Sequence, residues 1–330
     1  MRCTNNAHMK QLLCVICIAA VCVSGCGASQ LTIDNPYNAY SYEDSYINDV
    51  QTTTTDYFFA EGLCVTTPQN VGTDKTDSHV IVGGGGFNIT TGEVVYNQNI
   101  FQKLYPASTT KILTAYIIIR DCDLNQYVTV SEQAVQQASD SSVCGLKAGD
   151  VITVRDLLYG LMLSSGNDAA EALAEHHSGG TDAFALEMNK TAQALGATQT
   201  HFTNPSGLPD DNHYTTVYDM YLIFREAIKQ ETFVQIINTR TQQVSYTSAR
   251  GENVSKTYTN GNRYINGNAT MPTGFEAIGG KTGTTYEAGY CLVLLSKNPD
   301  GEEIITIVFK ADCTHNLYLL TNQILSRFSK

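Results

Sequence analysis

The chain contains no tryptophan and only seven prolines in 330 residues. That scarcity of proline excludes a collagen-like or proline-rich extended protein. Basic residues are also few: 20 Lys and Arg stand against 32 Asp and Glu, giving a formal net charge of −12. No basic stripe is present, so nucleic acid is not an expected partner, and acidity of this kind serves solubility before it marks a ligand. Among Cys64, Cys122, Cys144, Cys291 and Cys313 there is no C-x-x-C pair and no histidine pair at ligand spacing, so no metal or organic cofactor is implied. Their odd number leaves at least one unpaired. A role as small buried hydrophobes is expected, with a Cys64–Cys313 bridge after export as the open alternative.

What is present begins at the N-terminus. Arg2 and Lys10 precede an apolar run that ends at Val23. The run is shorter than the roughly 20 residues a membrane-spanning helix needs. A positive start, a short apolar centre and small residues after it read as an export signal. Its end, Val23-Ser24-Gly25-Cys26, resembles a bacterial lipobox, so residues 1–26 read as a signal with its lipobox, which implies cleavage before Cys26, lipidation of Cys26 as the new N-terminus and anchoring to the outer face of the cytoplasmic membrane. Cleavage nearby, for instance after Ala28, is the other reading. Residues 27–56 are polar and tyrosine-rich, with no lasting period, and read as a disordered spacer.

From Tyr57 to Lys330 the pattern is that of a folded domain. A hairpin is expected around Thr91-Gly92, and a second one around Asn298-Pro299-Asp300-Gly301. Between them, residues of about 125–240 are mainly helical in spacing. Leu157, Leu158, Leu161 and Met162 share one face. The run from His315 to Phe328 is helical again. Strands at both ends with helices between predict an α+β fold: an antiparallel sheet flanked by helices, with an inserted all-helical subdomain. A cleft at the join is the expected ligand site.

Three short motifs fall at the joins. Ser108-Thr109-Thr110-Lys111 opens an apolar segment. Ser165-Gly166-Asn167 separates two helical runs. Lys281-Thr282-Gly283 follows two glycines and precedes Thr284. Each alone has a plain structural explanation: a helix cap, an interhelical turn and a strand end. Their joint occurrence in this order matches the serine acyl-transfer signature of penicillin-binding proteins and β-lactamases. Residues three apart share a face on a helix and point to opposite faces on a strand. The Ser108–Lys111 pair therefore predicts a helix through Ile117-Ile118-Ile119, where β-branching would otherwise suggest a strand.

The chain resembles the serine D-alanyl-D-alanine carboxypeptidases, the low-molecular-mass penicillin-binding proteins. The likeness runs from about Phe87 to the C-terminus and includes TGEVVYNQN, GLKAGDVITVRDLLYGLMLSSGNDAA, HFTNPSGLPDDNHYTTVYDM and GGKTGTTYEAGYCLV. It implies a transpeptidase-like fold, Ser108 as nucleophile, Lys111 as its base and Ser165 as a proton relay. It also implies Asn167, Lys281, Thr282, Gly283 and Thr284 as substrate-binding residues. Backbone N–H groups of Ser108 and Thr284 would form the oxyanion hole. The implied partners are peptidoglycan stems ending in D-Ala-D-Ala, with β-lactams as inhibitors. Many relatives carry a β-rich domain and an amphipathic helix after the catalytic domain. This chain stops at Lys330, so Cys26 is its expected attachment. The alternatives are a β-lactamase, a D,D-endopeptidase or transpeptidase, and a non-catalytic β-lactam-binding lipoprotein. The sequence offers no Glu-x-x-Leu-Asn run of the class A β-lactamase kind. His213 is expected to be structural, and His176-His177 to form a solvated helix end.

Overall fold

A computed structural model describes residues 62–329. The export signal, the Cys26 site, the spacer and the expected domain start at Tyr57 lie outside the described residues. The first hairpin forms as expected, with β1 (Gly83–Asn88) and β2 (Val94–Gln98) antiparallel. The second joins β8 (Gly289–Lys297) to β9 (Glu303–Ala311) through the Asn298–Gly301 turn, closed by a Gly301 N–H to Asn298 carbonyl bond of 2.9 Å. With β7 (Glu276–Thr285) they make one five-stranded antiparallel sheet in the order β2-β1-β9-β8-β7. The chain's two β ends thus meet through β1 and β9, although more than 200 residues separate them.

Both faces of this sheet are covered, which explains why β8 and β9 carry continuous apolar runs, Cys291–Leu295 and Ile307–Phe309 among them, rather than apolar residues at alternate positions. Leu292, Leu294, Ile304 and Val308 face a core closed by the last helix, α8 (Thr314–Ser326), through Leu317, Leu320 and Ile324. Val293, Leu295, Ile305, Ile307 and Phe309 face the larger core, shared with the helices of the insert.

That insert holds α2 (Val154–Leu163), α3 (Asn167–Ser178), α4 (Thr181–Ala194), α5 (Val217–Ala227) and α6 (Glu231–Asn238), packed around α1 (Lys111–Asp121). The isoleucine run is helical, as the serine–lysine spacing required. Thr153 caps α2, its hydroxyl accepting the Asp156 N–H at 3.1 Å. Within the segment of about 125–240, two short strands accompany the helices: β3 (Tyr127–Thr129) and β4 (Val151–Thr153). They join β5 (Thr241–Thr247) and β6 (Asn253–Thr259) in a second sheet, β3-β4-β5-β6. The β5–β6 hairpin is mostly polar, with Val244, Tyr246 and Tyr258 buried, so its apolar signal is weak. The one-turn helix α7 (Arg263–Asn266) links this sheet to β7.

All five described cysteines are free: Cys64, Cys144 and Cys291 are buried, Cys122 and Cys313 half-buried. The Cys64–Cys313 bridge left open by the sequence is not formed. No helix among the described residues is long and apolar enough to cross a membrane.

Candidate active site

Ser108 sits in a single 3-10 turn, Ala107–Thr110, that runs directly into α1 at Lys111. In a 3-10 turn residues three apart eclipse one another, so the side chains of Ser108 and Lys111 are stacked by local geometry alone. The Lys111 ammonium nitrogen lies 3.0 Å from Ser108 Oγ, 2.8 Å from Asn167 Oδ1 and 2.6 Å from the Ser206 carbonyl oxygen. Lys111 is fully buried. Its pKa is held well below the usual lysine value, first by burial and then by the charge of Lys281. Both causes favour the neutral amine, the form able to accept a proton.

The second motif occupies the turn between α2 and α3. Ser165 adopts a left-handed conformation with φ of 58°, unusual for a residue with a Cβ. Ala107, beside the first motif's serine, is also left-handed, with φ of 47°. Backbone strain of this sort costs on the order of 1–3 kcal/mol and collects at functional sites. Asn167 is fixed by its backbone N–H to the Ser142 carbonyl at 2.8 Å. Next to it, the buried Asp168 carboxylate accepts from the N–H groups of Cys144 at 2.8 Å and Leu146 at 3.0 Å. It ties the loop that walls the cleft to α3.

The third motif lies on β7, an edge strand of the large sheet. Lys281, 2% exposed, donates to Ser165 Oγ at 3.1 Å and to the Thr282 carbonyl at 2.9 Å. Burial pushes its pKa down to about 7. Gly283 meets the serine turn so closely that a Cβ there would stand 2.9 Å from Ser108 N and 3.0 Å from the Pro106 carbonyl oxygen. Only glycine allows the strand to approach the nucleophile this far.

Ser108, Asn167 and Thr284 line one cavity of about 270 Å³, with Ser142, Gly207 and Tyr286 among its other walls. The structure therefore brings together every site residue expected from the described part of the chain. Ser108, Lys111 and Asn167 form one bonded group, Ser165, Lys281 and Thr282 another. Lys281 is close enough for its charge to lower the pKa of Lys111, and Gly283 abuts Ser108.

Sequence reasoning assigned nothing to Ser206, whose carbonyl is a direct partner of Lys111. It also gave no role to Asn204, whose side-chain oxygen accepts from the Gly207 N–H at 2.7 Å and the Leu208 N–H at 3.1 Å. The available signals were the Asn204-Pro205-Ser206-Gly207 turn sequence and its place inside the family-like run HFTNPSGLPDDNHYTTVYDM. His213 is buried and bonds through Nε2 to Thr110 Oγ1 at 2.9 Å, inside the first motif. Burial pushes its pKa down to about 4, so it is neutral. His176 and His177 do not form the merely solvated helix end expected of them. His176 bonds Gln126 and His177 bonds Asp121, both at 3.1 Å.

Comparison with known proteins agrees with this geometry. The family described as D-alanyl-D-alanine carboxypeptidase matches residues 67–313. The D-alanyl-D-alanine carboxypeptidase DacF of Bacillus subtilis is 36% identical over 228 residues, which are 67% of this chain and 55% of that protein. A Streptomyces sp. D-alanyl-D-alanine carboxypeptidase is 35% identical over 252 residues, 73% of this chain and 84% of that one. The crystal structure of a Streptomyces DD-transpeptidase covers 80% of this chain and 98% of its own, at 31% identity and a TM-score of 0.69. The chain thus spans about half the length of the Bacillus relative and most of the Streptomyces one. The family match over three-quarters of the sequence and the shared fold place this chain in the D-alanyl-D-alanine carboxypeptidase family of serine peptidases.

Proposed function

We propose that this protein is a serine D,D-carboxypeptidase that removes the terminal D-Ala from peptidoglycan stem peptides through an acyl-enzyme on Ser108. One observation carries the reading: the buried amine of Lys111 stands 3.0 Å from a serine hydroxyl that opens onto a cavity. A hydroxyl becomes nucleophilic when such a base takes its proton. Ser108 Oγ gives its proton to Lys111 Nζ and forms a bond to the carbonyl carbon of the penultimate D-Ala. The oxyanion is met by the backbone N–H groups of Ser108 and Thr284. Loss of one such donor typically costs about 3 kcal/mol.

The C–N bond then breaks. The leaving amine takes a proton from Ser165 Oγ, which is resupplied from Lys281, its donor at 3.1 Å, and the proton that Lys111 took from Ser108 passes back to Lys281, so that Lys111 is again neutral and Lys281 again charged. Water attacks the ester, Lys111 accepts the water's proton, and the Ser108–acyl bond breaks as Ser108 is reprotonated. Lys281, with Thr282, holds the substrate's terminal carboxylate. An extended stem peptide pairs with the edge strand β7, as in strand addition, and Asn167 contributes an amide to its backbone.

The partners of Lys111 Nζ are a hydroxyl, an amide and a carbonyl, with no carboxylate among them. This supports slow release of penicillin, hence inhibition, over a glutamate-driven β-lactamase cycle. A transpeptidase shares every step up to the ester and differs only in the acceptor. Export and lipidation at Cys26 place the enzyme on the outer face of the cytoplasmic membrane in this reading, supported by the N-terminal sequence.

The test is a timed count of D-Ala released from a peptide ending in D-Ala-D-Ala, with mass spectrometry of the penicillin adduct. Wild type is expected to release D-Ala and carry the adduct on Ser108, and Ser108→Ala to do neither. An adduct on the Ser108→Ala protein refutes the assignment.

A further inference from the structure

A neutral amine has two N–H bonds and one lone pair. To serve as a base, Lys111 must aim that lone pair at Ser108 Oγ. Two of its three partners, Asn167 Oδ1 at 2.8 Å and the Ser206 carbonyl oxygen at 2.6 Å, can only accept hydrogen bonds. They take up both N–H groups. The remaining direction, toward Ser108 Oγ, is left to the lone pair, and a hydroxyl can donate there. Asn167 belongs to the second motif. The Ser206 carbonyl comes from a segment that no catalytic motif marks.

That segment is built to hold the carbonyl still. Asn204 Oδ1 accepts from the N–H of Ser206 at 3.2 Å, of Gly207 at 2.7 Å and of Leu208 at 3.1 Å, while its Nδ2 donates to the Leu208 carbonyl at 2.9 Å. Gly207 follows in the left-handed region, at φ of +88°, and a Cβ there would stand 1.9 Å from the Ala107 carbonyl oxygen. The turn is therefore pressed against the serine turn itself. Two tethers tie it to the segment that carries Lys111, one to α1 and one, through His213, to the serine turn that leads into it. Thr114 Oγ1 donates to the Pro205 carbonyl at 2.7 Å. His213 Nδ1 accepts from the Thr203 N–H at 3.1 Å, so its proton sits on Nε2 and is donated to Thr110 Oγ1 at 2.9 Å.

We propose that the turn at residues 203–208 is a positioning device for the catalytic base: Asn204, with the His213 and Thr114 tethers, holds the Ser206 carbonyl on one N–H of Lys111 so that the amine's lone pair faces Ser108 Oγ. Asn204 and His213 are positioning residues; neither bonds Ser108 or Lys111 directly. The inference rests on the acyl-transfer reading of Ser108.

The test follows covalent labelling by fluorescent penicillin, separating the first-order rate at saturation from the half-saturating concentration. Asn204→Ala removes the acceptor for three backbone N–H groups. It is expected to lower the saturated rate by about tenfold or more and to leave the half-saturating concentration within about threefold. Asn204→Asp keeps an oxygen in the same place. Assayed in mildly alkaline buffer, so that the added carboxylate does not hold Lys111 protonated, it is expected to recover to within about threefold of wild type. Thr114→Val keeps the side-chain shape and removes one tether; a fall of about threefold in the same rate is expected.

A saturated rate for Asn204→Ala within about twofold of wild type overturns the proposal. So does an equal loss in Asn204→Ala and Asn204→Asp, or a loss expressed only as weaker binding. If Asn204→Ala does not fold, Thr114→Val decides alone, and an unchanged rate there overturns the proposal. Wild-type protein that never labels would instead refute the acyl-transfer reading, so the two failures are distinguishable.

Discussion

Lys281 is a group whose burial weakens the fold at neutral pH, and the structure sets the size of that effect. Its side chain is 2% exposed, and burial lowers its pKa from 10.5 to about 7. In the unfolded chain the same lysine binds a proton up to its ordinary value. Between these two pH values the unfolded state holds the proton and the native state has released it. Stability therefore rises with pH across the window. From pH 7 to about 8.5 the native lysine goes from half to almost fully neutral, a gain of about 1.5 kcal/mol at 1.36 kcal/mol per pKa unit. Lys111 acts in the same direction, because its pKa is also lowered.

The window closes near pH 9. There the unfolded chain begins to lose thiol protons that the native protein keeps, as at Cys291, whose pKa burial pushes up to about 12. Above that pH the slope reverses. The perturbation is Lys281→Met, which keeps the length and removes the charge. The assay is urea unfolding at pH 7 and about 8.5, with stability taken by linear extrapolation. Wild type is expected to gain stability over this interval. Lys281→Met is expected to be more stable than wild type at pH 7, to lose about 1.5 kcal/mol of the pH-dependent gain, and to release no D-Ala. A pH slope unchanged by the substitution, or wild-type stability that falls over the interval, refutes the reasoning.

Other consequences can be measured directly. The pH profile of kcat/KM should be bell-shaped. Its acid limb marks protonation of Lys111. Its alkaline limb, near 7, marks loss of the Lys281 charge that holds the substrate carboxylate; a substrate amidated at its C-terminus should lack that alkaline limb. Gly283→Ala places a methyl 2.9 Å from Ser108 N, so penicillin labelling should slow by at least about tenfold, measured by gel fluorescence over time. Asp168→Ala leaves the buried N–H groups of Cys144 and Leu146 without their acceptor. It should cost about 2–4 kcal/mol, read as a lowered denaturation midpoint together with a raised KM. Cys26→Ala should move the protein from the membrane to the soluble fraction on cell fractionation; retention in the membrane would refute lipid anchoring at that residue.

Local chemistry written in the chain fixed much of this protein. The Thr91-Gly92 and Asn298–Gly301 turns fold back because few backbone alternatives suit those residues. The long apolar strands β8 and β9 announce burial on both faces. The stacking of Ser108 on Lys111 follows from a three-residue spacing at the start of a helix, and all three site motifs are visible as short strings. The β5–β6 hairpin was not legible: it buries few apolar side chains, and its pairing to β4 is a long-range contact to which no local period points. The same limit applies to the site. Only the folded chain brings Lys281 to Ser165, and only packing lowers the pKa values of Lys111 and Lys281, since burial is a property of neighbours far apart in sequence. The Ser206 carbonyl is the clearest case: every residue has a carbonyl, so no side-chain pattern could mark this one, and its place beside Lys111 was decided by tertiary structure alone.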